Sequence, residues 1–478
     1  MIRSVIYVDL DTILHSLDKR VYGQFVEHLG RCIYGGIWVG ENSTIPNVNG
    51  YRLDVLEAIK AIKPPVVRWP GGNFVSQYHW MDGIGPRDKR PKRFDLAWGQ
   101  VEPNEFGTDE YIEWVRLIGA EPFIVVNAGN GTPEEAAAWV EYCNSTRDTH
   151  YANLRKRYGH PEPYNVKLWG IGNELWGRWQ VGFCRDAEEC AWRTVQFADH
   201  MKRVDSSIKL VAVGVDYDPE WNVDMVRIAG EYIDYLSIHT YIFAQGKTYE
   251  DLVAWPIAIE NNLKHVYITI EQTRHKYRIK KEIKIAFDEW NVWYPEAQPP
   301  YHEQITSMKD AIFTALVLNT LQRLSNAVPI AAFAQTVNVL PLILTREDKI
   351  LLTPQYLVFK LYTEVTEGDV VAIETTSPHY TSKELGLAVP YIDASAIRHQ
   401  DKVHLFIVNR HPDEEAEISI HIRGLTPSTA HHKYITGTSI NDKNTFEEPY
   451  RVKVEEKSYP FSETIKLPPH SVNMLMLS

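Results

Sequence analysis

Val166-Lys-Leu-Trp-Gly-Ile-Gly-Asn-Glu-Leu-Trp176 is the stretch that decides the fold: a short β-rich run that passes through a glycine directly into an asparagine and a glutamate. Polar side chains at the exit of an apolar strand are expected of a parallel barrel, whose active site lies at the C-terminal ends of its strands. Seven further runs of this kind flank it, at Val21–Val26, Pro65–Trp69, Pro122–Asn127, Lys209–Val213, Ile233–Ile238, Ile283–Phe287 and Pro329–Phe333. Segments of helical period lie between them, clearest at Asp54–Ile62, Thr108–Ile118, Pro133–Cys143, Asp186–Val204 and Glu303–Leu324. Asp186-Ala-Glu-Glu189 has the form of an N-terminal capping box, and Pro133 follows Thr132 at a first helical position. Strands alternating with helices predict a parallel sheet covered by helices, and eight strands close it. The expected class is therefore α/β, a (β/α)8 barrel over residues 19–365.

Beyond about residue 365 the texture changes. Alternating runs such as His404–Val408, Glu417–Ile422 and Ser471–Leu477, separated by Asn, Asp, Pro and Gly, predict a C-terminal all-β sandwich of jelly-roll-like form over residues 366–478. The strand-like start Ser4–Asp9 precedes the first barrel strand, and residues 1–18 are expected to join that sandwich. At 478 residues, a large domain with a smaller companion is the natural division.

Composition narrows the partners. Fifty Lys and Arg against 62 Asp and Glu give a net charge of −12, which argues against nucleic acid or an anionic membrane surface and favours a neutral substrate. No apolar run nears the roughly 20 residues of a membrane span. The N-terminal apolar stretch is interrupted by Asp9 and Asp11, which is unlike a leader peptide, so a cytoplasmic protein is expected. Four cysteines without a Cys-x-x-Cys pair read as free thiols, with neither a disulfide framework nor a structural metal. Aromatic residues, at 12%, suit both a core and the C–H faces of sugars.

The strand exits carry the chemistry. After the first run comes Glu27; the second holds Arg68 and leads to Gly71-Gly72-Asn73; the third ends in Asn127 and the fourth in Asn173-Glu174. The sixth ends in His239-Thr-Tyr241, the seventh in Asp288-Glu289, and the eighth in Gln335, while the fifth, followed by Gly214-Val-Asp216, is the least informative. Glu174 and Glu289 leave strands three steps apart, which can set their carboxyls across a central cavity. Glycoside hydrolysis needs such a pair: one acid protonates the leaving oxygen and one carboxylate attacks the anomeric carbon, roughly 5–5.5 Å apart when configuration is retained. Apolar neighbours raise a carboxyl pKa unless a cation offsets them. Arg68 is placed to hold a carboxylate such as Glu289 ionised. His239 reads equally as a catalytic neighbour and as a satisfied barrel histidine. Trp98 and Trp176 read as core or as sugar platforms, with Trp98 the better platform. No phosphate-loop frame surrounds Gly71-Gly72, whose use is a close-approach turn that points Asn73 inward.

Val26-Glu-His-Leu-Gly-Arg31 with Ile33-Tyr-Gly-Gly-Ile37, Arg68-Trp-Pro-Gly-Gly-Asn-Phe74, Asp95-Leu-Ala-Trp98, Gly172-Asn-Glu174 and Phe287-Asp-Glu-Trp-Asn-Val-Trp293 occur in one order over residues 20–365. Together they resemble the α-L-arabinofuranosidases of glycoside hydrolase family 51. The resemblance implies a clan A barrel acting with retention on terminal arabinofuranosyl groups of arabino-oligosaccharides, without cofactor or metal. It implies Glu174 as acid/base and Glu289 as nucleophile. Glu27, Asn73, Asn173, Tyr241 and Gln335, with Trp98, would line the sugar subsite, and Arg68 and His239 would support it. It further implies a homo-oligomer, often a hexamer. Leu175-Trp176 and the short segment Tyr294–Tyr301 depart from many members on the leaving-group side. The alternatives are a β-1,4-endoglucanase, another pentosidase or galactofuranosidase on the same carboxylates, and a non-catalytic sugar-binding protein.

Overall fold

The computed structural model describes residues 1–478. Eight strands form a closed barrel: Gly23–Phe25, Val66–Trp69, Glu121–Val126, Leu168–Ile171, Lys209–Val213, Tyr235–Phe243, Lys284–Trp293 and Ile330–Ala334. Each runs parallel to the next, and the last pairs back onto the first, Ala332 opposite Gly23. Every run read from the sequence lies on one of these strands. The first is shorter than expected because Lys19–Tyr22 forms a 3-10 turn, capped by Asp18 accepting from the Arg20 N–H. The sixth and seventh are longer. They keep pairing past the rim, from His239 opposite Glu289 to Phe243 opposite Trp293.

The seventh strand carries one residue more than either neighbour. Ser237 and His239 on the sixth strand face Ala286 and Glu289, and Ala331 and Phe333 on the eighth face Phe287 and Trp290. A bulge of this kind breaks the in-and-out alternation and re-aims side chains. Here the consecutive residues Asp288 and Glu289 both reach Arg68, at 3.1 and 2.6 Å.

The helices Leu53–Ala61, Thr108–Ile118, Pro133–Asn144 and Ala187–Val204 fall where the sequence pattern places them. The expected helix from Glu303 is corrected: it spans Met308–Arg323, because Ser307 and Asp310 form a capping box and stop it there, while Glu303 pairs with Arg31 at 2.7 Å. The longest helix, Trp255–Tyr277, was not among the clearest segments. Asn262, Thr269 and Thr273 lie on its buried face and blur the apolar period.

Besides four two-stranded hairpins, nine strands form a second large sheet, in the order Lys453–Pro460, Thr429–Thr436, Ser471–Leu477, Lys402–Asn409, Ile392–His399, Asp369–Thr376, Ile2–Ser16, Ala416–Arg423 and Thr464–Leu467. The N-terminal strand lies antiparallel to Asp369–Thr376 and parallel to Ala416–Arg423. Nineteen buried residues, Ile6, Val371, Leu405, Ile418 and Leu475 among them, make this domain's own core. Other side chains of the sheet, such as Phe406 and Met474, join the main core of the barrel and its helices. The helix Met308–Arg323 is buried around nearly its whole circumference, as a helix set between a barrel and a second sheet must be. Its end is pinned by Arg323, which reaches Glu260 at 2.6 Å and Asp393 at 3.1 Å. All four cysteines are buried and free, and no helix is long and apolar enough to cross a membrane.

Candidate active site

Arg68, fully buried on the second barrel strand, organises the floor of the barrel mouth. Its guanidinium donates from one terminal nitrogen to Glu289 Oε1 at 2.6 Å and from the other to Asn173 Oδ1 at 2.6 Å, while Nε lies 3.1 Å from Asp288 Oδ2. The ring of Phe25 packs against it, 4.5 Å from centroid to guanidinium carbon. The rigid planar guanidinium bridges Glu289 and Asn173 by hydrogen bonds while keeping its charge beside Asp288, a span that a compact ammonium does not offer. Glu289 receives a second bond on Oε2 from the Tyr241 hydroxyl at 2.8 Å.

Glu174 approaches from the fourth strand. The turn Gly172-Asn173-Glu174 places both Gly172 and Glu174 in the left-handed region, at φ 75° and 42°, and the latter is a strained conformation for a side-chain-bearing residue. Its carboxyl accepts from His239 Nδ1 at 2.9 Å. The same Nδ1 lies 3.5 Å from Glu289 Oε1, and Nε2 lies 3.0 Å from the Ser237 hydroxyl and 3.3 Å from Asp288 Oδ1. Burial would drive a proton off His239, yet the surrounding carboxylates of Glu289, Asp288 and Glu174 outweigh it and push the imidazole up to about 10. Burial likewise opposes ionisation of Asp288, but Arg68, His239 and the Ser237 hydroxyl hold it below the usual carboxylate range.

The other half of the mouth is built around Glu27. Its Oε1 accepts from the Phe74 backbone N–H at 3.1 Å and the Trp98 indole at 3.0 Å, and its Oε2 from Gln335 Nε2 at 2.7 Å. Burial, reinforced by the nearby Glu289, nevertheless pushes this carboxyl up to about 7. Trp98 is set by a turn in which Asp95 Oδ1 accepts from the backbone of Ala97 and Trp98, at 2.8 and 3.3 Å. Asn73 is oriented by Gln180, whose amide donates to Asn73 Oδ1 and whose Oε1 accepts from Ser76 at 2.7 Å. Three buried polar atoms of the site have no hydrogen-bond partner: Arg68 Nε, which faces Asp288 at 3.1 Å, and Asn173 Nδ2 and Gln335 Oε1, which face no such charge. One free donor and one free acceptor in a polar pocket are what hydroxyl groups of a ligand would satisfy.

Gly71 and Gly72 let the backbone run beneath these carboxyls. A Cβ on Gly71 would fall 2.7 Å from Glu27 Cγ, and one on Gly72 would fall 3.1 Å from Glu289 Oε1 and 3.5 Å from Asn173 Nδ2. Gly72→Ala is accordingly expected to lower kcat/KM by roughly 10- to 100-fold through displaced carboxylates. Steady-state kinetics alongside a thermal melt checks this: a melt shifted without lost activity would contradict it.

These groups line one cavity of about 340 Å³. It brings together Glu27, Asn73, Trp98, Glu174, His239, Tyr241, Glu289 and Gln335. Arg68 and Asn173 are buried behind this lining, Arg68 donating to both Glu289 and Asn173. Asn127 is not part of it: its side chain bonds Tyr78 O and the backbone of Gly129 and Asn130, shaping a loop. The fifth strand exit, uninformative in sequence, contributes Asp216, which accepts from Thr240 at 3.0 Å. Trp179, Phe243 and Trp293 complete the wall beside Trp176. Gln180 is a further contributor not singled out from sequence, and Asp288, read there only as the neighbour of Glu289, meets Arg68 and His239.

Glu174, His239 and Glu289 each offer a ligand atom within 4.8 Å of the others. A cation there would compete with Arg68 for Glu289 Oε1 and with Glu174 for the His239 nitrogen. The arrangement suits acid–base and nucleophilic work better than metal ligation.

Two family models match the chain, one described as the α-L-arabinofuranosidase 1 domain over residues 58–255 and one as the α-L-arabinofuranosidase C-terminal domain over residues 288–471. An intracellular exo-α-L-arabinofuranosidase of Bacteroides ovatus is 35% identical over 99% of this chain and 95% of its own length. Among solved structures, the α-L-arabinofuranosidase of Thermotoga maritima in its arabinose complex superposes with a TM-score of 0.92 at 42% identity, covering 99% of each chain. The family 51 α-L-arabinofuranosidase of Thermotoga petrophila does so with a TM-score of 0.92 at 41% identity over the whole of both chains.

Proposed function

The chain belongs to the α-L-arabinofuranosidases of glycoside hydrolase family 51 and is an exo-acting glycoside hydrolase; we propose that it works by double displacement, with Glu289 as nucleophile and Glu174 as acid and then base. The observation that carries this reading is the pairing of two carboxyl oxygens within 4.8 Å in unlike settings. Glu289 is buried, and its two oxygens accept from Arg68 and from the Tyr241 hydroxyl. Glu174 is half-buried at the cavity and touched by His239 alone. Oxygens this close support a retaining reaction, in which no water stands between the carboxylate and the sugar.

In the first step a Glu289 oxygen bonds to the anomeric carbon as the glycosidic C–O bond breaks, and the departing oxygen takes the Glu174 proton. In the second, Glu174 takes a proton from water, whose oxygen bonds to the anomeric carbon and frees Glu289. Glu27, Asn73, Trp98, Asn173, Tyr241 and Gln335 bind the sugar. The free Asn173 Nδ2 is the donor whose bond to the 2-hydroxyl strengthens as oxocarbenium character develops. With methanol as acceptor, 4-nitrophenyl α-L-arabinofuranoside should yield methyl α-L-arabinofuranoside; the β product would overturn retention.

His239 acts as a cationic positioning residue. Both its nitrogens face carboxylate or hydroxyl oxygens, so it donates twice when doubly protonated. Its pKa is raised from an unfolded value of about 6.5, so the stabilisation from its proton is full below that value and is lost as pH climbs through about 10. The melting temperature of the wild type should therefore fall towards that of His239→Asn as pH passes about 10. A difference between the two that stays constant from pH 6 to 11 would contradict a charged His239.

The substrates contain arabinose, and we infer arabino-oligosaccharides taken up into the cytoplasm, supported by the intracellular relative. A homo-oligomer, hexameric by family resemblance, is supported by the apolar residues Phe94, Leu96 and Val101, 65, 58 and 66% exposed on one hairpin. Light scattering that returned the 55.1 kDa monomer would overturn it.

A further inference from the structure

Trp98 sits in the turn of a short hairpin, Arg93–Phe94 against Val101–Glu102, that pairs with no barrel strand. Phe94 and Val101 of this hairpin are bare to solvent, so its outer side contributes little to holding it. From the turn the Trp98 indole reaches Glu27 at 3.0 Å. Whatever fixes the hairpin therefore also sets the indole against that carboxyl. Gln100 supplies one tie, accepting from the Gly30 N–H at 3.2 Å and donating to Pro300 O at 2.9 Å. The buried tie is made by Glu102, at the hairpin's end.

His28 joins that end to the barrel. It follows Glu27 directly, its backbone N–H donates to Pro70 O at 3.1 Å, and its ring stacks on Phe74 at 4.7 Å and 16°. Nδ1 lies 2.8 Å from Glu102 Oε2, and the Trp69 indole donates to Nε2 at 3.0 Å. An indole nitrogen can only donate, so Nε2 accepts there and the ring proton lies on Nδ1, which donates to Glu102. The other Glu102 oxygen accepts from the Tyr34 hydroxyl and, at 2.7 Å, from the Asn104 N–H. Trp69 is the neighbour of Arg68 on the second strand, so one imidazole links the Glu27 turn, the strand that carries Arg68 and the hairpin that carries Trp98. Both His28 and Glu102 are buried, and neither lines the cavity. Apolar side chains of similar volume would fill this space without a desolvation cost; a fully satisfied polar relay adds rigidity and a single allowed arrangement.

We propose that His28 is a positioning residue for the glycosidic reaction, tethering the Trp98 hairpin through Glu102 so that the indole stays on the Glu27 carboxyl and in place for the sugar. This rests on Trp98 being part of the sugar site. His28 touches no substrate; it acts through Trp98, and its contribution vanishes when that side chain is absent.

A double-substitution cycle on 4-nitrophenyl α-L-arabinofuranoside tests this. His28→Ala in the otherwise unchanged enzyme should lower kcat/KM by roughly 10- to 100-fold, the scale of displacing a substrate-positioning group by about 1 Å. In a Trp98→Ala background the same substitution should cost less than about threefold, because the group it acts through is gone. Two near-isosteres separate the tether from packing. His28→Asn brings an amide nitrogen to the place of Nδ1, keeps the bond to Glu102 and should retain most of kcat/KM. His28→Gln reaches the place of Nε2, keeps the bond from Trp69, releases the hairpin and should fall with the alanine variant. Equal fold-losses in both backgrounds, unchanged kinetics of a folded His28→Ala, or asparagine retaining no more than glutamine would overturn the tether. Should His28→Ala fail to fold, the order of asparagine and glutamine decides alone. Failure of the underlying reading looks different: Trp98→Ala itself would keep wild-type kinetics, which would remove Trp98 from the sugar site.

Discussion

Glu289→Gln should lower turnover of 4-nitrophenyl α-L-arabinofuranoside by roughly 10^4- to 10^6-fold, the scale at which removing a catalytic nucleophile leaves only binding and electrostatics to act. The substitution keeps the volume of the side chain and removes the anion that Arg68 holds at 2.6 Å and Tyr241 at 2.8 Å. An amide oxygen at that place cannot form the glycosyl ester, so neither step of the displacement proceeds. The deficit should be severe for good and poor leaving groups alike, because departure of either needs the bond to Glu289 that the amide cannot form. Initial rates on a panel of aryl arabinofuranosides check both statements. A deficit of less than about tenfold would place the nucleophile elsewhere.

Glu174→Ala should behave differently. Loss of a general acid costs about 10^2- to 10^4-fold, and the cost depends on how much the leaving oxygen needs a proton. Arabino-oligosaccharides should suffer in full, whereas a 4-nitrophenolate leaves without help. For such activated substrates the slow step becomes hydrolysis of the glycosyl enzyme, which lacks its base, and azide should accelerate it. The product is then the arabinosyl azide with the anomeric configuration of the substrate. Equal losses on all leaving groups, indifferent to azide, would remove Glu174 from the acid/base role.

The contrast between these two variants grows out of their surroundings, and only part of those surroundings is legible in the sequence. The barrel is legible because parallel strands covered by helices are apolar along most of their length, so Pro122-Phe-Ile-Val-Val and Lys209-Leu-Val-Ala-Val announce themselves. Gly172-Asn-Glu174 is legible for the same reason, a polar pair at the end of an apolar run. The bulge in the seventh strand is not. Strict alternation would send Asp288 and Glu289 to opposite faces, and the extra residue relative to both neighbouring strands brings the two to one side, beside Arg68 and His239. The partners of His239 are hidden likewise, since its place opposite Glu289 is a matter of register between strands separated by the helix Trp255–Tyr277.

Asp216 shows a signal that was present and undervalued. It follows Gly214-Val215 at the fifth strand exit much as Glu174 follows Gly172-Asn173, but nothing paired it with another carboxyl along the chain. Gln180 shows the opposite case. It lies in an irregular loop without periodicity, and Gly129 and Gly182 let that loop pack against the third-strand exit, where Gln180 meets Asn73. The start of the helix at Met308 belongs with these, because the capping pair Ser307 and Asp310 outweighs the apolar period that runs on towards Glu303.

One measurement bears on the central claim most directly. Glu174→Ala enzyme, incubated with 4-nitrophenyl α-L-arabinofuranoside, quenched in acid and digested with pepsin, should yield a single arabinosylated peptide by mass spectrometry. Fragmentation should place the ester on Glu289. An adduct on another residue, or hydrolysis through an inverted product with no adduct at all, would contradict the account.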